Sequence, residues 1–145
     1  MNRFPYVGSG YLFLIHDGEI LLQRRANTGF EDGNYGVPAG HLDGNETARE
    51  GTAREMREEI GITLAPNDLT LAHFMHRKGA NDERFDIFWH TERYAGEITN
   101  MEPNKCDDLS WFPLDALPDN MMTMYALLSQ TGKKVFRTQS TVGKL

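Results

Sequence analysis

Gly40-His-Leu-Asp-Gly-Asn-Glu46-Thr-Ala-Arg-Glu-Gly-Thr-Ala-Arg54-Glu55-Met56-Arg57-Glu58-Glu59-Ile60-Gly61-Ile62 is the stretch on which the fold reading turns. A glycine turn, Val37-Pro38-Ala39-Gly40, leads into a loop carrying Asp43, Gly44 and Asn45. The spacing then predicts a helix over 47–60, ended by Gly61 as its C′ residue. On a helical wheel Glu55, Glu58 and Glu59 share one side while Ala53, Met56 and Ile60 gather on another, so the acidic face and the buried stripe are separate. Glu50, Arg54 and Glu58 stand four apart and predict an ion-pair ladder. Gly51 lies between the acids on the wheel. A glycine there costs ~1 kcal/mol against alanine, and it predicts room for something to approach.

An acidic helix face is ordinarily a solvated surface. Three carboxylates at i, i+3 and i+4 nevertheless repel one another by ~0.2–0.5 kcal/mol per pair, and lysines would sit more easily at those positions. A divalent cation reverses the sign of the problem, because clustered carboxylates are what Mg²⁺ or Mn²⁺ requires.

The pattern Gly, five residues, Glu, seven residues, Arg-Glu-apolar-X-Glu-Glu-X-Gly-apolar is matched by Gly40, Glu46, Arg54, Glu55, Met56, Glu58, Glu59, Gly61 and Ile62. It resembles the box of the Nudix hydrolase family. With each fixed identity occurring at about 7%, seven of them coincide by chance on the order of once in 10⁸ starting points. The box covers 23 of the 145 residues. The resemblance implies an α/β fold: an α/β/α sandwich with a mixed central sheet, the box forming a loop–helix–loop at one end.

What the resemblance implies for chemistry is carried over residue by residue. The box would hold divalent metal against a pyrophosphate while water attacks one phosphorus. Glu58 and Glu59 take the place of the principal metal ligands, and Glu55 that of a further ligand or of the general base; the alternative base comes from a distal loop. Arg54 would orient Glu58 or a neighbouring carboxylate, or form an ordinary helix ion pair. Glu46 would cap or brace the helix start, where its charge suits the dipole. Gly40 and the Ala39 carbonyl would approach metal or substrate through the backbone. Many relatives have Gly-Gly where this chain has Ala39-Gly40, and Tyr35 stands where a tryptophan is common.

The family often adds a carboxylate from a later loop. Glu97, Glu102, Asp107 and Asp108 precede Trp111-Phe112 here, and Glu102 is the expected one. Arg24 and Arg25 end a strand and would clamp phosphate, only one of them pointing inward because strand neighbours alternate. Asp119 and Asn120 fall where some relatives recognise a nucleobase; an N-cap of a last helix is the preferred reading.

Composition fits one domain over 1–145, with 39% hydrophobic and 25% charged residues. A net charge of −6 argues against a broad nucleic-acid groove, so an anionic small substrate needs a local cationic site. A single cysteine, Cys106, excludes an intrachain disulfide and suits a reducing, cytoplasmic setting. Tyr11–Ile15 is too short an apolar run for a signal segment or a membrane span. Apolar runs at 11–15 and 19–22 joined by Asp17-Gly18 predict a type I′ hairpin. Strands are expected over 69–76, 85–94 and 109–112, a second helix over 120–130 and a polar tail from about 133. Trp89 and Trp111 read as core, and the five histidines as surface or half-buried.

The expected activity is Mg²⁺-dependent hydrolysis of a nucleoside diphosphate linked to X, with a nucleoside triphosphate, oxidised or not, as the first substrate. ADP-ribose or a nucleotide sugar is the alternative. A nucleotide-binding sensor, or a scaffold using the acidic helix, are the non-enzymatic readings. Intact Glu55, Glu58 and Glu59 speak against the sensor. Many relatives form homodimers, but nothing in this sequence marks an interface.

Overall fold

The computed structural model describes residues 3–125. The order of elements is β1 (Val7–His16), β2 (Glu19–Arg25), β3 (Tyr35–Gly36), β4 (Ala39–His41), α1 (Ala48–Ile60), a 3-10 turn (Pro66–Asp68), β5 (Thr70–Lys78), β6 (Glu83–Thr91) and β7 (Cys106–Pro113). The path through the sheet is β3-β2-β1-β6-β5, with β4 added to β1 and β7 to β2. β1 runs parallel to β6 and antiparallel to β2 and β4, which makes the sheet mixed as expected. Among the described residues no helix is long and apolar enough to cross a membrane.

β1 is the axis of the molecule. Residues 9–15 are buried without a break, as befits a strand covered on both faces. Its alternation separates two cores. Tyr11, Phe13 and Ile15 join Phe88, Val37, Met124 and Tyr125 on one side. Leu12 and Leu14 join Ala53, Met56, Ile60 and Trp89 beneath α1 on the other. Asp17 and Gly18 both have positive φ, 50° and 77°, the signature of the expected I′ turn.

The helix begins one residue after Thr47, whose side chain accepts from the Glu50 N–H and donates to the Glu50 carboxylate. It ends on Gly61 at φ 74°, in the left-handed region that glycine enters without strain. Other boundaries moved by a few residues. β7 starts at Cys106, earlier than expected, which places Asp107 and Asp108 in a strand and not in a loop. The two-residue β3 and three-residue β4 had no periodicity to announce them.

The helix expected over 120–130 lies mostly outside the described residues, as does the polar tail. The part that is described corrects its start. Asn120 does not cap a helix: its side chain donates to the Gly33 carbonyl, and its own carbonyl accepts from Tyr35 N–H. Helical backbone begins only at Met124. The Thr123 N–H ahead of it is taken by the Glu31 carboxylate, a long-range partner that local spacing could not reveal.

Packing outweighs capping in holding α1. Thr47→Ala is expected to lower stability by about 1 kcal/mol, and Met56→Ala, at a fully buried position, by about 2–5 kcal/mol. Urea denaturation of both variants checks the order, which equal losses would contradict.

Candidate active site

Arg54 is the hub of the box. Its Nε donates to Glu46 Oε2 at 3.0 Å and its Nη2 to Glu46 Oε1 at 2.8 Å, a two-point fork. Its Nη1 donates to Glu55 Oε1 at 2.9 Å and to Glu58 Oε2 at 3.2 Å. Nη2 also reaches the His41 carbonyl at 3.1 Å. The guanidinium holds the Glu46 carboxyl down at about 2, helped by the Asp43 N–H. The expected Glu50–Arg54–Glu58 ladder is therefore corrected at one end: Glu50 serves the Thr47 cap, and Glu46 takes its place on Arg54. Glu46 does brace the helix start. The space beside Gly51 is closed by Glu46 and Leu42, either of which would lie 2.7 Å from a Cβ placed there.

Gly40 is required by close approach. A Cβ at that position would fall 2.2 Å from the Glu55 carboxylate, so only glycine lets the acidic face of α1 rest on β4. Burial raises the Glu55 pKa and its neighbours Glu58 and Asp43 raise it further, against the pull of Arg54.

Glu59 lies deepest in the acidic group. Burial, followed by the Glu55 and Glu102 carboxylates, pushes its pKa up to about 8. Ala39 meets it through the backbone N–H, and its Oε2 is buried with no hydrogen-bond partner among the described residues. Glu55, Glu58, Glu59 and Glu102 line one cavity of about 420 Å³, with Arg24, Arg25, Ala39, Gly40 and Lys105. As the side chains stand, no three His, Cys, Asp or Glu among the described residues converge on one point. The fit to a divalent cation rests on the four glutamates that line the cavity and on Glu59, whose unpartnered oxygen a cation would satisfy while favouring the carboxylate form.

The four later acids separate in space. Glu102 lies on the cavity. Asp107 pairs with Arg24 Nε at 2.7 Å, and Asp108 accepts from the Tyr35 hydroxyl and from Ser110. The Glu97 carbonyl packs near Gly61. Arg24 and Arg25 both line the cavity, whereas strand alternation allowed only one of them. A register shift between Arg24 and Arg25 in the β2–β7 pairing breaks the alternation. Tyr35 is buried against Phe112 with Arg24 over its ring, and lines neither this cavity nor the larger one beside it. Asp119 is exposed and also lines neither. Trp89 is core, and Trp111 packs against that core. Cys106 is a buried free thiol whose pKa burial raises, poorly suited to nucleophilic work.

The larger cavity, about 610 Å³, shares Gln23, Arg25, Ala39, Gly40 and His41 with the acidic one. The sequence reading missed its Arg77, Arg84 and His41. The signal was the alternation of Arg84, Asp86 and Phe88 on β6: two charged residues of opposite sign in phase with a buried aromatic.

A sequence model of the NUDIX domain matches residues 8–132. The chain belongs to the Nudix hydrolase family. Among curated relatives it is 29% identical over 119 residues to the NAD-capped RNA hydrolase NudC of Pseudomonas aeruginosa, an alignment covering 81% of this chain and 40% of that protein. With the NudC of Stutzerimonas stutzeri it shares 28% over 121 residues, covering 81% and 41%. The chain thus spans about two fifths of the length of these curated relatives. Among solved structures, the MutT NUDIX hydrolase from Burkholderia pseudomallei superposes with a TM-score of 0.77 at 27% identity, over 85% of this chain and 95% of that one. The MutT protein from Methanosarcina mazei Go1, at 24% identity and TM-score 0.68, matches over 100% of both chains and supports the fold.

The raised pKa of Glu59 makes stability depend on pH and metal. A carboxyl with a folded pKa of about 8 against 4.5 unfolded contributes most stability below pH 4.5, and loses it as pH rises through about 8. Metal-free protein is therefore expected to melt at progressively lower temperature over that window. Mg²⁺ should restore more at pH 8 than at pH 5. Glu59→Gln should flatten the slope, and an unchanged slope in that variant would exclude Glu59 as its source.

Proposed function

We infer that the chain is a divalent-metal-dependent hydrolase of a diphosphate bond in a nucleoside diphosphate linked to X. The observation that carries this reading is the buried, unpartnered oxygen of Glu59 in a cavity also lined by Glu55, Glu58 and Glu102. Glu58 and Glu59 would hold the cation, with Glu102 contributing from the 102–106 turn. Bound there, Mg²⁺ or Mn²⁺ supplies neutralisation of the diphosphate and acidification of water.

The chain's own residues do the rest. Arg54 positions Glu55 and Glu58, so it acts through them and not on substrate. Glu55, whose pKa is raised, accepts the proton of the attacking water or serves as a further ligand. Arg24 and Arg25, which line the same cavity, would donate to the non-reacting phosphate oxygens. The water oxygen bonds to one phosphorus, the bridging P–O bond breaks, and each product leaves with a phosphate.

For the substrate, a nucleoside triphosphate remains the first reading, in keeping with the MutT likeness. A dinucleotide joined through its diphosphate is the second, favoured by the NAD-capped RNA hydrolases among the relatives. The free thiol of Cys106 suits a reducing compartment such as the cytoplasm.

Purified protein given nucleoside triphosphates, oxidised nucleotides, ADP-ribose, nucleotide sugars and a dinucleotide, with and without Mg²⁺, should release nucleotide from one of these classes only when metal is present. Binding without turnover across the panel would move the reading to a sensor. Within the active class, Glu58→Gln should abolish metal-dependent turnover while the circular dichroism spectrum is kept, and Glu55→Gln should lower it by about 10²-fold or more. Full activity in Glu58→Gln would remove that carboxylate from the site.

A further inference from the structure

The larger cavity carries cations for which hydrolysis at the acidic group has no use. In a chain of net charge −6, its described lining contains Arg25, Arg77 and Arg84 against a single carboxylate, Glu31. Glu31 is already engaged by the Thr123 N–H and hydroxyl. Arg25 also borders the acidic cavity, which leaves Arg77 and Arg84 unexplained.

Both are built into place from behind. Asp86, wholly buried, accepts from the Tyr11 hydroxyl at 3.0 Å and from Arg77 Nε, so both of its oxygens are occupied. Arg77 can be understood as the counter-charge that a buried carboxylate demands. Arg84 cannot. Its Nη2 donates to Ser9 Oγ at 3.1 Å and to His41 Nε2 at 2.8 Å, two neutral partners, the imidazole nitrogen necessarily accepting because a guanidinium only donates. Its one ion pair among the described residues is a long one, Nη1 to Asp82 at 3.6 Å, and that carboxylate is 41% exposed. Its Nε is buried with no partner among the described residues. The Arg84 side chain as a whole is 24% exposed, but its buried Nε lacks an acceptor that an anion entering the cavity would supply.

The chemistry of the absent group follows from what this wall can and cannot offer. Asp86 and the Ser9 oxygen are committed to the arginines and Tyr11, so among the described residues the charged side chains facing this cavity are three guanidinia and the already engaged Glu31, with the Gln23 amide as a neutral group beside them. A nucleobase edge, which carries no charge, makes little use of three guanidinia. A phosphate, anionic and accepting at every oxygen, is well matched, and the guanidinium fork suits it.

We propose that Arg84, with Arg77 beside it, recognises a phosphate of the substrate outside the scissile diphosphate. The preferred substrate is then a nucleotide diphosphate bearing an additional phosphate on another part of the molecule. This rests on the hydrolase reading for its meaning, but the site is tested by binding and not by turnover.

Calorimetric dissociation constants of the full chain, with Ca²⁺ present, are to be compared within two matched pairs. These are ADP-ribose against ADP-ribose 2′-phosphate, and adenosine 5′-diphosphate against adenosine 3′-phosphate 5′-diphosphate. The phosphate-bearing member of at least one pair should bind on the order of tenfold tighter or more. Arg84→Gln should bring that ratio close to one, and Arg84→Lys, which keeps the charge without the fork, should leave an intermediate ratio. If Arg84→Gln fails to fold by circular dichroism, the lysine variant still reads the fork. Ratios near one in the native protein, a ratio that survives loss of Arg84, or no binding by any of the four ligands would overturn the proposal. A clear preference without hydrolysis of any nucleotide would refute the enzyme and keep the phosphate site; hydrolysis with ratios of one would do the reverse.

Discussion

The structure depends on how four carboxylates are kept together without a counter-charge of equal size. Arg54 supplies one positive group to Glu46, Glu55 and Glu58 at 2.8–3.2 Å. It cannot also serve Glu59, which lies deeper and retreats towards the protonated form. The result is a graded group. Glu46 is held firmly ionised, Glu55 is raised, and Glu59 is raised most. This spread is set by depth and by distance from a single guanidinium, since these three side chains are the same acid.

The sheet turns that graded group into a site. Gly40 on β4 lets the acidic face of α1 settle against the strands, and the register shift at Arg24 and Arg25 brings two neighbouring arginines to the same cavity. The helix belongs to the box and the bulge to β2 before it, and β1 links the two by pairing with both β2 and β4. Glutamates and arginines therefore line one hollow, a mix that suits a metal-neutralised anion.

A second electrostatic layer lies in the larger cavity. The buried Tyr11–Asp86–Arg77 set and the Arg84–His41–Ser9 set hold guanidinia on one wall, although the chain as a whole is acidic. The global charge describes the protein's surface field and leaves room for a locally cationic lining. Tyr35 marks the limit of the family comparison in the other direction. Its hydroxyl is committed to Asp108 and its ring to Phe112, so it supports β2 and β7 instead of facing either cavity.

The amino-acid sequence by itself determined the class of protein, the helix with its Thr47 and Gly61 ends, the I′ turn at Asp17-Gly18, and the acid face distinct from the Met56 stripe. These are local: each depends on spacings of two to four residues or on one residue's backbone preference, and such effects act wherever the chain goes. Of the four candidate acids, Glu102 lines the acidic cavity. Only the tertiary structure decided that Glu46 and not Glu50 holds Arg54, that both arginines of β2 line one cavity, that Asn120 ties to the Gly33 loop while Glu31 meets Thr123, and that Arg77 and Arg84 line a second cavity with buried Asp86 bonded to Arg77. Those partners are separated by up to 92 residues. Their pairing is settled by sheet register and by the demand of buried charge for a partner, neither of which leaves a periodic trace in the sequence.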